Sequence, residues 1–395
     1  MPDPTPFYPI TSKLCKSQMW RYWGEYFVPS SYEVHHDVEY YAIRNSAALI
    51  DITPLYKYDV IGPDAARLVD RVITRDVNKC KVGQVYYSTW CDEDGKTMQD
   101  GTVFRIGQDY FRFNAADPTY RWLKINSVGL NVEITDVTHK LAAVALQGPL
   151  SREILKQVMH TPIEDMKFFR LSEEIIEGIP VLISRTGYTG DLGYEIFVPV
   201  EEAVQLYDVL LNAGKAYGIT PAGNLALDIS RIEAGFVLIE VDYVSSEKAI
   251  IESQRYTPYE ISLGWTVNLD KGPFVGKKKL IEAKKNGPAR EIVGMEVRWD
   301  DLERAFMEEG LPPQLPAAAW RGGIPVYNGE RQVGKATSGC WSPVLKKYIV
   351  LSTLETAYAK PGTQVEMEVT VEYKRKKVIA DVVKIPFFNP ERKKA

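Results

Sequence analysis

Three polar clusters set among glycines and apolar runs carry the chemistry that this chain of 395 residues could perform. In Gly95-Lys-Thr-Met-Gln-Asp100-Gly101 a single carboxylate stands between a turn and an apolar strand. An aspartate there either caps the turn or acts on a proton or a developing cation. In Arg185-Thr-Gly-Tyr188-Thr-Gly-Asp-Leu-Gly193-Tyr194-Glu195, closely spaced glycines mark a tight, irregular loop whose backbone can approach a ligand. Glu195 then leads into Ile196-Phe-Val198, which reads as buried strand, where an unpaired carboxylate is costly. A ligand presenting two N–H donors would satisfy it, and so would an arginine. In Ala226-Leu-Asp228-Ile-Ser-Arg231-Ile-Glu233-Ala-Gly235 a helix ends at glycine with Arg231 in its last turn, an ordinary way to compensate the helix dipole.

Other chemistries are excluded by what is missing. The chain has four histidines, two of them adjacent at His35-His36, and no G-x-S-x-G elbow for a hydrolytic triad. No convergent His, Cys or carboxylate spacing suggests a metal site. Neither G-x-G-x-x-G nor a P-loop occurs; Gly272-Pro-Phe-Val-Gly276-Lys-Lys has the wrong spacing and reads as a turn before a helix. Cys15, Cys80, Cys91 and Cys340 are scattered, which argues for free thiols in a reducing compartment. A net charge of −4 argues against a nucleic-acid footprint, and the basic tract Lys374-Arg-Lys-Lys377 reads as a solvated hairpin end. No membrane span or leader peptide is visible, so the expected location is cytosolic.

The elements that must position these clusters read as α+β rather than as a βαβ repeat. The length calls for two or three domains. The first ~35 residues, rich in Pro, Ser and aromatics, read as an extended arm that packs on the rest of the molecule rather than as a free domain. A helix is expected over 65–72, and a meander from Gly83 through 84–91, 102–106 and 110–113. Helices are expected at 117–128, 151–159, 200–216 and 223–234, and strands at 132–135, 141–146, 181–184 and 194–198. A β-rich region follows a boundary near 284–290, interrupted by an insertion-like stretch from Trp299 to Trp320.

Taken together the clusters resemble the aminomethyltransferase family, the family of the glycine-cleavage T-protein. The resemblance is carried by Tyr41-Ala-Ile-Arg44-Asn-Ser-Ala-Ala-Leu-Ile-Asp51, Gly83-Gln-Val-Tyr-Tyr87, the Asp100 turn and Ala145-Leu-Gln147-Gly-Pro149. It continues through Arg185 to Glu195, Arg231-Ile-Glu-Ala-Gly235, Thr257 to Trp265 with Phe274-Val-Gly276-Lys277, and Thr337-Ser-Gly-Cys-Trp-Ser-Pro-Val-Leu-Lys-Lys347. It implies a three-domain cloverleaf around a folate cleft. Residues 1–287 would form two intertwined α+β subdomains, one spanning about 55–137, and residues 288–388 a small β-barrel.

The same resemblance implies tetrahydrofolate as cofactor and assigns roles. Glu195 would read the pterin edge, since a carboxylate accepts two hydrogen bonds side by side. Tyr87 and Tyr188 would pack on the folate, Asn114 would line the cleft, and Arg231 would meet the glutamyl tail. Asp100 matches the catalytic aspartate, positioning the folate amine and stabilising cationic character on the one-carbon donor. Departures lie at Trp23-Gly-Glu-Tyr-Phe-Val-Pro-Ser-Ser-Tyr32, Thr53-Pro54-Leu55, Gln99 and Ile239-Glu240-Val241-Asp242-Tyr243. Glu240 and Asp242 could therefore face a cationic small substrate.

The implied activity is transfer of an aminomethyl or methyl group to tetrahydrofolate, from a lipoyl-carrier protein or a small donor. The alternative within the family is a tetrahydrofolate-dependent demethylase of a methylated N-, S- or O-compound. A non-catalytic folate-binding protein is the reading from another class. Pairing with a separate flavin oxidase subunit stays open.

Overall fold

The computed structural model describes residues 2–394. Over those residues the strands form a three-stranded, a five-stranded and a six-stranded sheet and a closed six-stranded barrel. Helices pack between and upon them without a βαβ repeat, so the α+β expectation holds.

The five-stranded sheet is antiparallel and runs in the order Gln84–Cys91, Thr97–Gly107, Tyr110–Ala115, Tyr56–Ile61, Glu133–Asp136. Its first three strands are the expected meander. Alternation divides their side chains between two faces. Trp90, Val103 and Phe113 point to one face and pack on the helices Ala65–Val72 and Tyr120–Asn126. Val85 and Phe104 point to the other.

The six-stranded sheet runs Leu171–Ile176, Ile179–Ser184, Gly193–Pro199, Leu141–Gln147, Ala47–Asp51, Ile219–Pro221. Its outer face carries Val144, Ile183 and Ile196 onto the helices Ser151–Val158 and Ala203–Gly214. Its inner face presents Ile50, Ala145, Leu182 and Phe197.

The two inner faces meet. Phe104 and Phe197 stand edge to face at 5.4 Å between ring centroids, a favoured aromatic geometry. The helix Asn224–Glu233 adds Ala226, Ile229 and Ile232 to the same core, and the barrel adds Cys340, Ile349 and Leu351. One apolar junction therefore joins both sheets, the helix and the barrel. The barrel closes in the order Arg290–Val297, Lys347–Glu355, Arg331–Ser342, Trp320–Asn328, Gln364–Val371, Lys374–Val383.

Three expectations need correction. The N-terminal stretch is not simply extended: it forms the helix Tyr8–Leu14 and the antiparallel strands Met19–Trp23 and Tyr26–Ser31. Phe7 sits fully buried in the outer core of the six-stranded sheet, which is why aromatics recur there. The stretch 299–320 is not a bare insertion either, because Trp299–Met307 is a helix whose Leu302 and Ala305 pack into the barrel core. Asp100 does not lie between turn and strand; it lies within Thr97–Gly107. Among the described residues, no helix is long and apolar enough to cross a membrane.

Candidate functional site

The register of the five-stranded sheet assembles one polar face. Asp100 pairs with Thr89, Thr102 with both Tyr87 and Asn114, and Lys57 with Asn114. Paired residues project to the same side, as do residues two apart, so Tyr87, Asp100, Thr102 and Asn114 share the inner face with Phe104. Glu195 shares the inner face of the six-stranded sheet with Phe197 by the same rule. Glu195 lies two strand residues from Phe197 and Asp100 four from Phe104, about 7 Å and 14 Å at ~3.4 Å per residue. Both carboxylates therefore stand on the sheet faces that meet at those two rings.

Asp100 is held by two phenols. Tyr87 donates to Oδ2 at 2.5 Å, and Tyr243, from the loop after the helix Asn224–Glu233, donates to Oδ1. Burial raises the Asp100 carboxyl above its usual range, and the two phenol hydrogen bonds partly oppose the rise. Both phenols are pushed well up by burial and by the adjacent carboxylate. Tyr87 also stacks on Trp265 at 6.1 Å and 24°, and Trp265 is 62% exposed, so this aromatic pair forms an accessible wall.

Among the described residues Glu195 forms no ion pair. Among the described residues its partner is the Thr186 hydroxyl, which donates to Oε2 at 2.5 Å; Ser184 bonds Thr186 in turn. The arginine partner left open by the sequence is not found among the described residues. Burial again raises the carboxyl, against the hydroxyl hydrogen bonds.

The glycines of the adjoining loop serve a side chain of the protein itself. A Cβ on Gly187 or Gly193 would lie 2.1 or 2.4 Å from the Gln147 carboxamide. That amide donates to Thr186 O and Tyr194 O and accepts from the Thr189 hydroxyl. Gln147 is thus the post around which 186–194 folds, and it fixes the backbone that carries Tyr188 and Glu195. Tyr188 stacks on Phe236 at 5.6 Å and 24° and donates to Val237 O at 2.5 Å.

Asn114 donates to Thr102 at 3.3 Å, while its buried Oδ1 has no hydrogen-bond partner among the described residues. Such an orphaned acceptor calls for a ligand donor or water.

Arg231 and Asp242 are brought together. Arg231 is fully buried; its Nη1 bonds Asp242 Oδ2 at 2.6 Å and its Nε bonds Asp228 Oδ1 at 3.3 Å. Burial opposes its charge, but Asp242, Tyr188 and Asp228 more than offset this and raise it. Asp242 also accepts from Leu238 N–H and from Thr337 and Ser338 of the barrel. Glu240, at φ 62°, accepts from Ser245 N–H at 3.1 Å and faces Lys248 at 3.6 Å. Asp242 is thus not free to meet a cation, and the Lys248 that faces Glu240 also pairs with Asp117.

Sequence reasoning passed over Tyr243, Thr186, Phe236 and Trp265 as site residues. Tyr243, Thr186 and Trp265 lay in stretches already singled out and Phe236 directly follows one, but none shows which way it points until the loops are placed.

Family models match both halves of this architecture. The GCVT N-terminal domain matches residues 13–271 and the glycine cleavage T-protein C-terminal barrel domain matches residues 310–389. The chain belongs to the aminomethyltransferase family. It is 34% identical over 356 residues to an aminomethyltransferase of Bacillus cytotoxicus, covering 89% of each chain. It is 35% identical over 367 residues to a trimethylamine-oxide aldolase of Ruegeria pomeroyi, covering 90% of this chain but 43% of that one. The glycine cleavage system aminomethyltransferase T from Bartonella henselae has the same fold, with a TM-score of 0.84 at 24% identity, covering 98% of this chain and 99% of that one. The aminomethyltransferase family is one of folate-using transferases, and its three-domain fold with a terminal β-barrel is the one seen here.

Proposed function

We propose that this member of the aminomethyltransferase family moves a one-carbon unit, aminomethyl or methyl, onto tetrahydrofolate in the central junction. The observation that carries the reading is a pair of carboxylates, Asp100 and Glu195, held by hydroxyls among the described residues, on sheet faces that meet at Phe104 and Phe197. The residues suit a reduced pterin. Glu195 has lone pairs for an amino and ring N–H edge, Asn114 has an acceptor without a partner, and Tyr188 and Tyr87 offer aromatic surfaces.

When bound, tetrahydrofolate supplies the nitrogen nucleophile. The protein's part is mainly electrostatic and positional. Asp100, with each oxygen bonded to a phenol, cannot rotate freely. Its remaining lone pairs favour positive charge beside them in a partly dry site, where that preference is stronger than in water. The raised carboxyl can also take a proton from an amine and hold it on Oδ1 or Oδ2. Alignment of donor carbon and folate nitrogen supplies much of the remaining acceleration.

Arg231 is assigned here to bracing the loop 236–243 rather than to gripping the glutamyl tail directly, because its charge is matched by Asp242 and Asp228. A second reading, demethylation of a small methylated compound, is favoured by the likeness to the trimethylamine-oxide aldolase. In the first reading a lipoyl-carrier protein delivers the donor; in the second it diffuses in alone.

Mass spectrometry of the folate product decides between them. The chain is incubated with tetrahydrofolate and either an aminomethylated lipoyl carrier or a panel of methylated amines and sulfonium compounds. Methylene-tetrahydrofolate from the carrier supports the first reading, and methyl-tetrahydrofolate from a small donor the second. No folate product from either would end the proposal.

A further inference from the structure

Where the helix Asn224–Glu233 meets the strands Met19–Trp23 and Trp320–Asn328, three guanidinium groups face two carboxylates. Asp242 is saturated by Arg231, a backbone N–H and two barrel hydroxyls. Asp228 gives Oδ1 to Arg231 at 3.3 Å and Oδ2 to Arg321, which donates to it twice, at 2.6 and 3.0 Å. Arg21 is left with a 3.8 Å approach to that same oxygen, and its side chain makes no hydrogen bond among the described residues.

The cluster thus holds one positive charge in excess, on the side chain with the fewest partners. Arg21 and Arg321 are only 29% and 31% exposed in their side chains, so water compensates them incompletely. Burial and the neighbouring Arg321 push the Arg21 guanidinium down. Five N–H donors without an acceptor, beside a second guanidinium held in place by Asp228, describe half of an anion site. Trp23, two residues along the strand on the same side as Arg21, packs against the central core, so this side of the strand faces the junction.

We propose that Arg21 and Arg321 form a subsite for a ligand carboxylate, with Asp228 as the post that sets their spacing. The proposal extends the folate-transfer reading. It also differs in polarity from what the sequence suggests for Asp242: that acid is matched by Arg231, and the excess charge of this cluster is positive. Two ligands could bring the carboxylate, the glutamyl tail of the folate or a carboxylate on the one-carbon donor.

Calorimetry on the full chain separates these sources. Wild type, Arg21→Gln and Arg21→Lys are titrated with tetrahydrofolate, with a tetrahydropterin lacking the benzoylglutamyl tail, with dimethylglycine and with trimethylamine. Arg21→Gln is expected to weaken one carboxylate-bearing probe at least tenfold and to leave its carboxylate-free counterpart unchanged. Arg21→Lys should recover part of the loss, and the Tm of Arg21→Gln should not fall, since no protein hydrogen bond is removed. A loss on tetrahydrofolate identifies the tail as the source; a loss on dimethylglycine identifies the donor. If Arg21→Gln binds both carboxylate probes within twofold of wild type, or loses all four probes alike, the subsite is wrong. If wild type binds no tetrahydrofolate, the folate reading fails, and the subsite then stands or falls on dimethylglycine alone.

Discussion

Among the described residues the Asp100 and Glu195 carboxyls are held by hydroxyls instead of cations, and that choice has measurable consequences. A carboxylate bonded only to phenols or a threonine keeps its charge available to a ligand, at a cost in stability when the ligand is absent. Asp100→Asn keeps the shape and removes the charge. Turnover should fall by about 10²–10³-fold, within the range for a removed acid–base or electrostatic group, while calorimetry finds folate binding within a few-fold of wild type. Unchanged turnover would remove Asp100 from the mechanism. Tyr243→Phe deletes a hydrogen bond that lowers the Asp100 pKa, so that pKa should rise further. If the ionised form is the active one, the acidic limb of the kcat/KM profile moves to higher pH; a shift to lower pH contradicts the assignment.

Glu195 allows a linkage argument with the opposite sign to the usual carboxylate. Its folded-state pKa is raised, so the native state holds the proton more tightly than the unfolded chain, and stability falls as pH climbs from the unfolded value through the folded one. Glu195→Gln never ionises. Its Tm should match wild type near pH 4 and exceed it at pH 7, while pterin binding weakens. A Tm gap that closes as pH rises would show that Glu195 has a stabilising partner after all.

Elements act here through posts and latches. The loop 186–194 is shaped by Gln147 on a neighbouring strand, so its glycines answer to packing within the protein. Gly193→Ala should destabilise the chain by about 2–3 kcal/mol, a typical overpacking cost. Adding Gln147→Ala removes the clashing amide, and a double-mutant cycle should then show coupling of about 1–3 kcal/mol. Strict additivity in urea melts would mean that the clash lies elsewhere. The second latch is Arg231 with Asp242. Asp242→Asn leaves a fully buried guanidinium short of its closest counter-ion, at about 3–5 kcal/mol. Thermal melts should show the loss, and its absence would imply that Arg231 relaxes to another acceptor.

The whole molecule is tied together by polar groups as well as by the shared core. Ser342 of the barrel donates to Glu233, Thr337 and Ser338 donate to Asp242, and Phe388 N–H closes on Glu233 O at 2.8 Å. Glu233 is also the counter-ion of Arg44 at 2.6 Å. Removing the barrel would expose these acids and one side of the central core together. Residues 1–287 alone should therefore fail to give a cooperative melt, and the full chain should unfold in one transition by calorimetry. A truncated chain that melts sharply and still binds folate would show that the junction is dispensable.

By itself the sequence determined the strongly patterned elements and the family. Alternation over 84–113 specifies a meander, and the ordered motifs from Tyr41 to Lys347 specify relatives, because local patterning and spacing are properties of the chain alone. It could also name Asp100 and Glu195, since a lone carboxylate beside buried strand is conspicuous in one dimension. What only the tertiary structure decided is who meets whom. Tyr243 reaches Asp100 across 143 residues, Arg231 answers Asp242 rather than a helix dipole, and Arg21 is left with the excess charge. Charge compensation depends on distances through space, and those exist only once two sheets, a helix and a barrel have closed on one core.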